Sequence, residues 1–80
     1  MNDQEIRTLV FAIVKDVFKV PLSNIHIDMK QDDINEWDSL GHIRLFMTLE
    51  ERCKIKIEFE DIKNTQSIHD LINLLKIYIR

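Results

Sequence analysis

The 80 residues are 45% hydrophobic and 31% charged, a balance that suits a globular fold with one modest core and excludes a disordered chain. A formal net charge of -3 speaks against nucleic acid as a partner, because a polyanion repels it, and favours basic partner surfaces. The lone cysteine, Cys53, leaves no internal disulfide and fits a cytoplasmic setting.

The opening residues, Met1 to Glu5, are polar and acidic, unlike a secretory leader. The longest apolar run, Leu9 to Val14, is too short to cross a bilayer. With one glycine, one proline and no repeats, the chain is expected to form a single domain over 1–80, monomeric and cytoplasmic.

The first helix is predicted to start near Asn2 or Asp3, where Asn2 and Glu5 have capping-box spacing. Ile6, Leu9, Val10, Ile13 and Val17 recur on one helical face, and Phe11, Val14 and Phe18 widen it, so this helix should bury two sides. Pro21 is expected to stop it, since the residue before proline avoids helical angles. A long acidic connection then runs from Val20 to Glu36, with a short helical turn over 21–25. The alternation Ile25, Ile27, Met29 and a second one, Ile55, Ile57, Phe59, permit two short paired strands. Neither has hairpin chemistry beside it, so loops plugging the gaps between helices are preferred.

The second helix is predicted from about Leu40 to Cys53. Leu45, Phe46, Leu49 and Cys53 form its core face, while Leu40, Arg44, Met47 and Glu51 share the opposite side with Ile43 at the edge. A short helix over 58–63 follows. The last helix is capped by Ser67 with Asp70 three residues on and buries Ile68, Leu71, Ile72, Leu75 and Ile79. Lys76 and Arg80 lie near its C-terminus, where positive charge is favoured.

The middle of the chain, Glu36-Trp37-Asp38-Ser39-Leu40-Gly41-His42, is where the connection becomes the second helix. Asp38 is a good N-cap, because its carboxylate can accept from first-turn N–H groups that have no intrahelical partner. Those N–H groups and the helix dipole favour a negative group at this end, so a phosphodiester on Ser39 would be held there without rearranging the fold. Trp37, one residue ahead of the cap, should pack on the first turn while partly buried. His42 reads as a surface histidine, and no triad partner stands beside Ser39.

Asp38-Ser39-Leu40, followed by Ile43, Leu45, Phe46, Leu49, Glu50 and Glu51, resembles the acyl carrier protein family. The resemblance extends to the chain's length, its long first loop and the segment Thr65-Gln66-Ser67-Ile68-His69-Asp70-Leu71. It implies an all-α four-helix bundle of acyl-carrier type, with three longer helices, one short one and a long loop between the first and second. It implies no catalysis by the chain itself. Ser39 would carry a covalent 4'-phosphopantetheine arm derived from coenzyme A, with Asp38 and Leu40 beside it, and acyl groups would ride on the arm's thiol as thioesters. The implied partners are a phosphopantetheinyl transferase and acyl-loading and acyl-using enzymes with basic docking patches, meeting Leu40, Ile43, Arg44, Met47 and Glu51.

Against the fatty-acid type of pattern, Arg44 stands where an acid is often found and Gly41 weakens the first turn, which points to a specialised pathway. An aminoacyl or peptidyl carrier shares the same serine logic. An unmodified helical adaptor using the same patch is the reading from a different class. Cys53 on the core face should behave as a small apolar residue. His26, His42, His69 and Cys53 lack metal-ligand spacing, so no metal site is expected.

Overall fold

The computed structural model describes residues 1–79 and is all-helical among them. Its elements are α1 (Asp3–Phe18), α2 (Ser39–Cys53), α3 (Phe59–Asn64) and α4 (Ile68–Tyr78), with single 3-10 turns at Leu22–Asn24 and Gln31–Asp33 in the first connection. The expected helix at 58–63 starts one residue later.

Local chemistry explains where the helices begin. Asn2 Oδ1 accepts from Glu5 N at 2.8 Å and Glu5 Oε1 accepts from Asn2 N at 2.9 Å, the complete reciprocal box. Ser67 Oγ accepts from Asp70 N at 3.0 Å, while Asp70 reaches back one residue further than expected, to Gln66 N. Arg80 lies outside the described residues, so the basic end of α4 rests on Lys76. That lysine is 3.4 Å from Asp3 of α1.

Proline does not stop α1. The helix ends at Phe18, and Lys19 takes the left-handed conformation (φ 57°) that closes many helices. Pro21 stands two residues beyond, which keeps the chain from resuming the helix.

One core unites the chain. Ile6, Val10, Ile13, Val14 and Phe18 of α1 meet Leu45, Phe46 and Leu49 of α2 and Ile68, Leu71, Ile72 and Leu75 of α4. Helix α1 packs on both α2 and α4, as its two apolar sides require. Ile25, Ile34 and Trp37 from the first connection and Ile57 from the second fill the remaining gaps. The two alternating runs therefore serve as plugs, except at Phe59, which opens α3 and is 73% exposed. No strand forms among the described residues; instead a single antiparallel bridge joins Lys30 to Ser67. Gln31 N donates to Gln66 O at 2.9 Å, and Ile68 N donates to Met29 O at 3.0 Å. The long connection is thus pinned to the start of α4, not to the 55–59 segment.

Helix α3 is different. It has six residues and none of them is fully buried, and a helix this short has little stability of its own. Half-buried Ile62 packs it on the core, and polar bridges tie it further. Tyr78 Oη, at the end of α4, donates to Asp61 Oδ2 at 2.6 Å and accepts from Glu58 N at 3.1 Å. The neighbouring carboxylate raises the Tyr78 hydroxyl above the usual phenol range. His42 of α2 meets the Ile62 carbonyl from the other side.

Candidate functional site

The start of α2 forms as its cap residue dictates. Asp38 is extended (φ -90°, ψ -168°), its Oδ1 accepts from Gly41 N at 2.8 Å, and its carbonyl accepts the first helical bond from His42 N at 2.8 Å. Ser39 is therefore the first residue of the helix, and it is exposed. Its hydroxyl sits at the end where the helix dipole and free N–H groups favour an anion. Removing the cap with Asp38→Ala should cost about 1 kcal/mol. Thermal unfolding followed by circular dichroism would register that loss, and an unchanged midpoint would mean that water caps the helix equally well.

Three large apolar side chains lie in the open on the same helix: Leu40 (66% exposed), Ile43 (53%) and Met47 (62%). Arg44 and Glu51 are exposed as well. The division of α2 into a core face and an open face is as the spacing predicts. Arg44 leans back on α1, where its guanidinium donates to Val17 O at 3.3 Å. That carbonyl belongs to the last turn of α1, which lacks helical donors and favours a cation.

Behind Ser39 the junction is more tightly built than the sequence suggests. Trp37 is fully buried, not partly, and stacks on Phe18 of α1 with ring centroids 5.6 Å apart. Its Nε1–H donates to His42 Nδ1 at 2.9 Å, and the two rings lie nearly parallel. His42 Nε2 is 2.7 Å from Ile62 O. An acceptor at Nδ1 and a carbonyl at Nε2 require a neutral ring with its proton on Nε2. His42 is thus no surface histidine but a half-buried bridge from α2 to α3. One signal for its pairing with Trp37 was available: the two occupy the N' and N4 positions of a helix start, where side chains pair.

Gly41 also has a structural reason. A Cβ there would overlap the backbone carbonyl of Glu36 and come within 3.1 Å of Phe18 Cε1. The residue lets the connection pass against the first turn.

The acidic residues are not equivalent. Asp28, Asp32, Asp33, Glu36 and Asp38 before Ser39 are all exposed. Among them Asp33 Oδ2 accepts from Lys30 N at 2.9 Å and Asp38 Oδ1 from Gly41 N; elsewhere Glu50 accepts from Ile57 N at 2.9 Å and Asp61 is engaged by Tyr78, so these four also serve the fold. Cys53 is half-buried, and that burial pushes its thiol above the usual range, away from the reactive thiolate. Among the described residues no cluster of His, Cys, Asp or Glu could hold a metal ion.

The family model for the phosphopantetheine attachment site matches residues 8–75. The chain belongs to this family. Members are carriers of a covalent 4'-phosphopantetheine arm and not catalysts, in line with the resemblance read from Asp38-Ser39-Leu40. The chain is similar to the acyl carrier protein of Acidothermus cellulolyticus, 23% identical over 75 residues, which cover 94% of this chain and 89% of that one. In fold it is similar to the crystal structure of an acyl carrier protein from Thermotoga maritima, with a TM-score of 0.75 and 22% identity over 95% of this chain and 89% of the other. The four-helix carrier architecture expected from the sequence is the one found.

The surroundings of Ser39 suit the arm. A phosphodiester needs an open hydroxyl, donors and no competing anion in contact; an exposed first-turn position provides the first two, and Asp38 turns Oδ1 toward its own helix.

Proposed function

We propose that Ser39 is the attachment residue and that this phosphopantetheine carrier is an acyl carrier protein, a single domain over 1–80 working as a cytoplasmic monomer. The observation that supports it best is the exposed hydroxyl at the first position of α2, within the segment the family model matches. Bound there, the arm supplies a terminal thiol on which acyl groups are held as thioesters. Asp38 fixes the first turn through Oδ1 and offers its carboxylate to a basic group of the transferase. Leu40 gives the arm an apolar neighbour.

Leu40, Ile43, Arg44, Met47 and Glu51 form the surface on which a phosphopantetheinyl transferase and the acyl-loading and acyl-using enzymes dock. The exposed acids of the first connection attract basic patches on those enzymes, which speeds encounter. Arg44 adds a cation to that face, and this favours a specialised pathway over general fatty-acid synthesis. Gly41 no longer bears on the pathway, because packing alone requires it.

Incubation with a broad-specificity phosphopantetheinyl transferase and coenzyme A, read by intact mass, tests the assignment. The wild type should gain one arm and Ser39→Ala none, with both folded by circular dichroism. A folded wild type that gains nothing, or a variant that still gains the arm, would overturn it and favour an unmodified adaptor.

A further inference from the structure

We infer that His42 is a positioning residue, a ring held in one tautomer that sets α3 against the first turn of α2 and so shapes the surface an enzyme meets on reaching Ser39. The inference rests on the assignment of Ser39 as the modified residue.

Three observations carry it. First, both ring nitrogens are engaged: Nδ1 accepts from Trp37 Nε1–H at 2.9 Å, and Nε2 donates to Ile62 O at 2.7 Å. The ring is also fixed in angle, stacked on Trp37 and tilted against Phe46 at a centroid distance of 5.0 Å. Second, the carbonyl it reaches belongs to α3, which buries none of its six residues fully. Its Ile62 packs on the core while only half-buried, so the placement of so lightly anchored an element depends on its polar ties as well. One tie, Tyr78, pulls from α4, and His42 pulls from the side of Ser39. Third, His42 lies three residues beyond Ser39, one turn along the same helix, so the residue that ties α3 to α2 shares a helix face with the serine.

A change at His42 would leave Ser39 chemically intact while moving α3. The consequence belongs to recognition, not to the reactivity of the hydroxyl. Such a displacement raises the KM of an enzyme that reads the surface and leaves the chemical step largely alone, since misplaced contacts weaken binding before they alter the reacting group.

Modification of the apo protein by a phosphopantetheinyl transferase with saturating coenzyme A, at a temperature where circular dichroism shows every variant folded, separates the two. With His42→Ala the KM for the carrier should rise about tenfold with kcat nearly unchanged. His42→Gln keeps a donor within reach of Ile62 O and should recover most of that loss. His42→Asn keeps only an acceptor near Trp37 and should not. Nitrogen-15 spectra of the wild-type imidazole should show the proton on Nε2. A KM equal to wild type in His42→Ala, equal values for the Gln and Asn variants, or a proton on Nδ1 would overturn the inference. Should His42→Ala fail to fold, the Gln and Asn pair decides. If the wild type itself is not modified, the Ser39 assignment falls first; a modified wild type with an indifferent His42 removes this inference alone.

Discussion

Gly41→Ala is expected to destabilise the protein by about 2 kcal/mol, the reverse of what helix propensity predicts. Inside a helix alanine is better than glycine by about 1 kcal/mol, and Gly41 is the third residue of α2. The added methyl, however, would overlap the Glu36 carbonyl oxygen and crowd the edge of the Phe18 ring. A flexible side-chain tip could swing aside; a backbone carbonyl can move only if the connection moves with it. Overpacking of this kind costs about 1–3 kcal/mol, and here the strain falls on backbone, so the upper part of that range sets against the propensity gain. A loss of about 2 kcal/mol would lower the melting temperature of so small a protein by roughly 8–16 °C. Scanning calorimetry of the two proteins would read it directly. A melting temperature at or above the wild-type value would mean that α2 and the 34–37 segment do not approach as closely as described. Because Ser39 lies between Glu36 and Gly41 in sequence, the same shift should slow the modification proposed for it.

What could be read from the sequence, and what could not, divides along the range of the interactions. Asn2 with Glu5, Asp38 with Gly41 and Ser67 with Asp70 act across three residues, so the helix starts follow from the residues themselves. The open face of α2 follows too, because helical spacing fixes which of its side chains point the same way. Ser39 at the head of α2 is a direct consequence of the Asp38 cap. The path of the first connection is another matter. Ile25, Ile27 and Met29 alternate as a strand would, yet pairing occurs only at the end of the run, Met29 O with Ile68 N and Lys30 with Ser67, far on in sequence. The burial of Trp37 depends on Phe18 arriving from α1, and the role of His42 on Ile62 arriving from α3. Neither approach leaves a mark in the local pattern. Nor does spacing reveal which acids are free, since Glu50 and Asp61 are occupied by groups seven and seventeen residues away. Gly41, read alone, is a weak point in a helix. Beside the Glu36 carbonyl it is the condition for the helix to start there.

The largest loss of stability is expected from Trp37→Ala. The indole is 1% exposed and heads the fully buried side chains by size, and truncating a buried aromatic to alanine costs about 3–5 kcal/mol from lost transfer energy and the cavity left behind. Two further losses are specific to this site: the stacking on Phe18, and the donor to His42 Nδ1, which would be left facing a cavity. A protein of this length has a total stability of roughly 4–12 kcal/mol, so the variant should be at or near the edge of unfolding at body temperature. Trp37→Phe separates the contributions. It keeps a ring against Phe18 but has no N–H, and should lose about half as much, the hydrogen bond accounting for about 1 kcal/mol of it. Urea unfolding should be followed by far-ultraviolet circular dichroism, because Trp37 is the one tryptophan and its fluorescence disappears with it. With a slope of about 1 kcal/mol per molar for so small a protein, the midpoint of Trp37→Ala should fall by roughly 3 M. A midpoint within 1 M of wild type would show that the junction before Ser39 is held by the Asp38 cap alone. The expected order, wild type above Trp37→Phe above Trp37→Ala, would instead make the buried ring the anchor from which the exposed serine, two residues on, is presented.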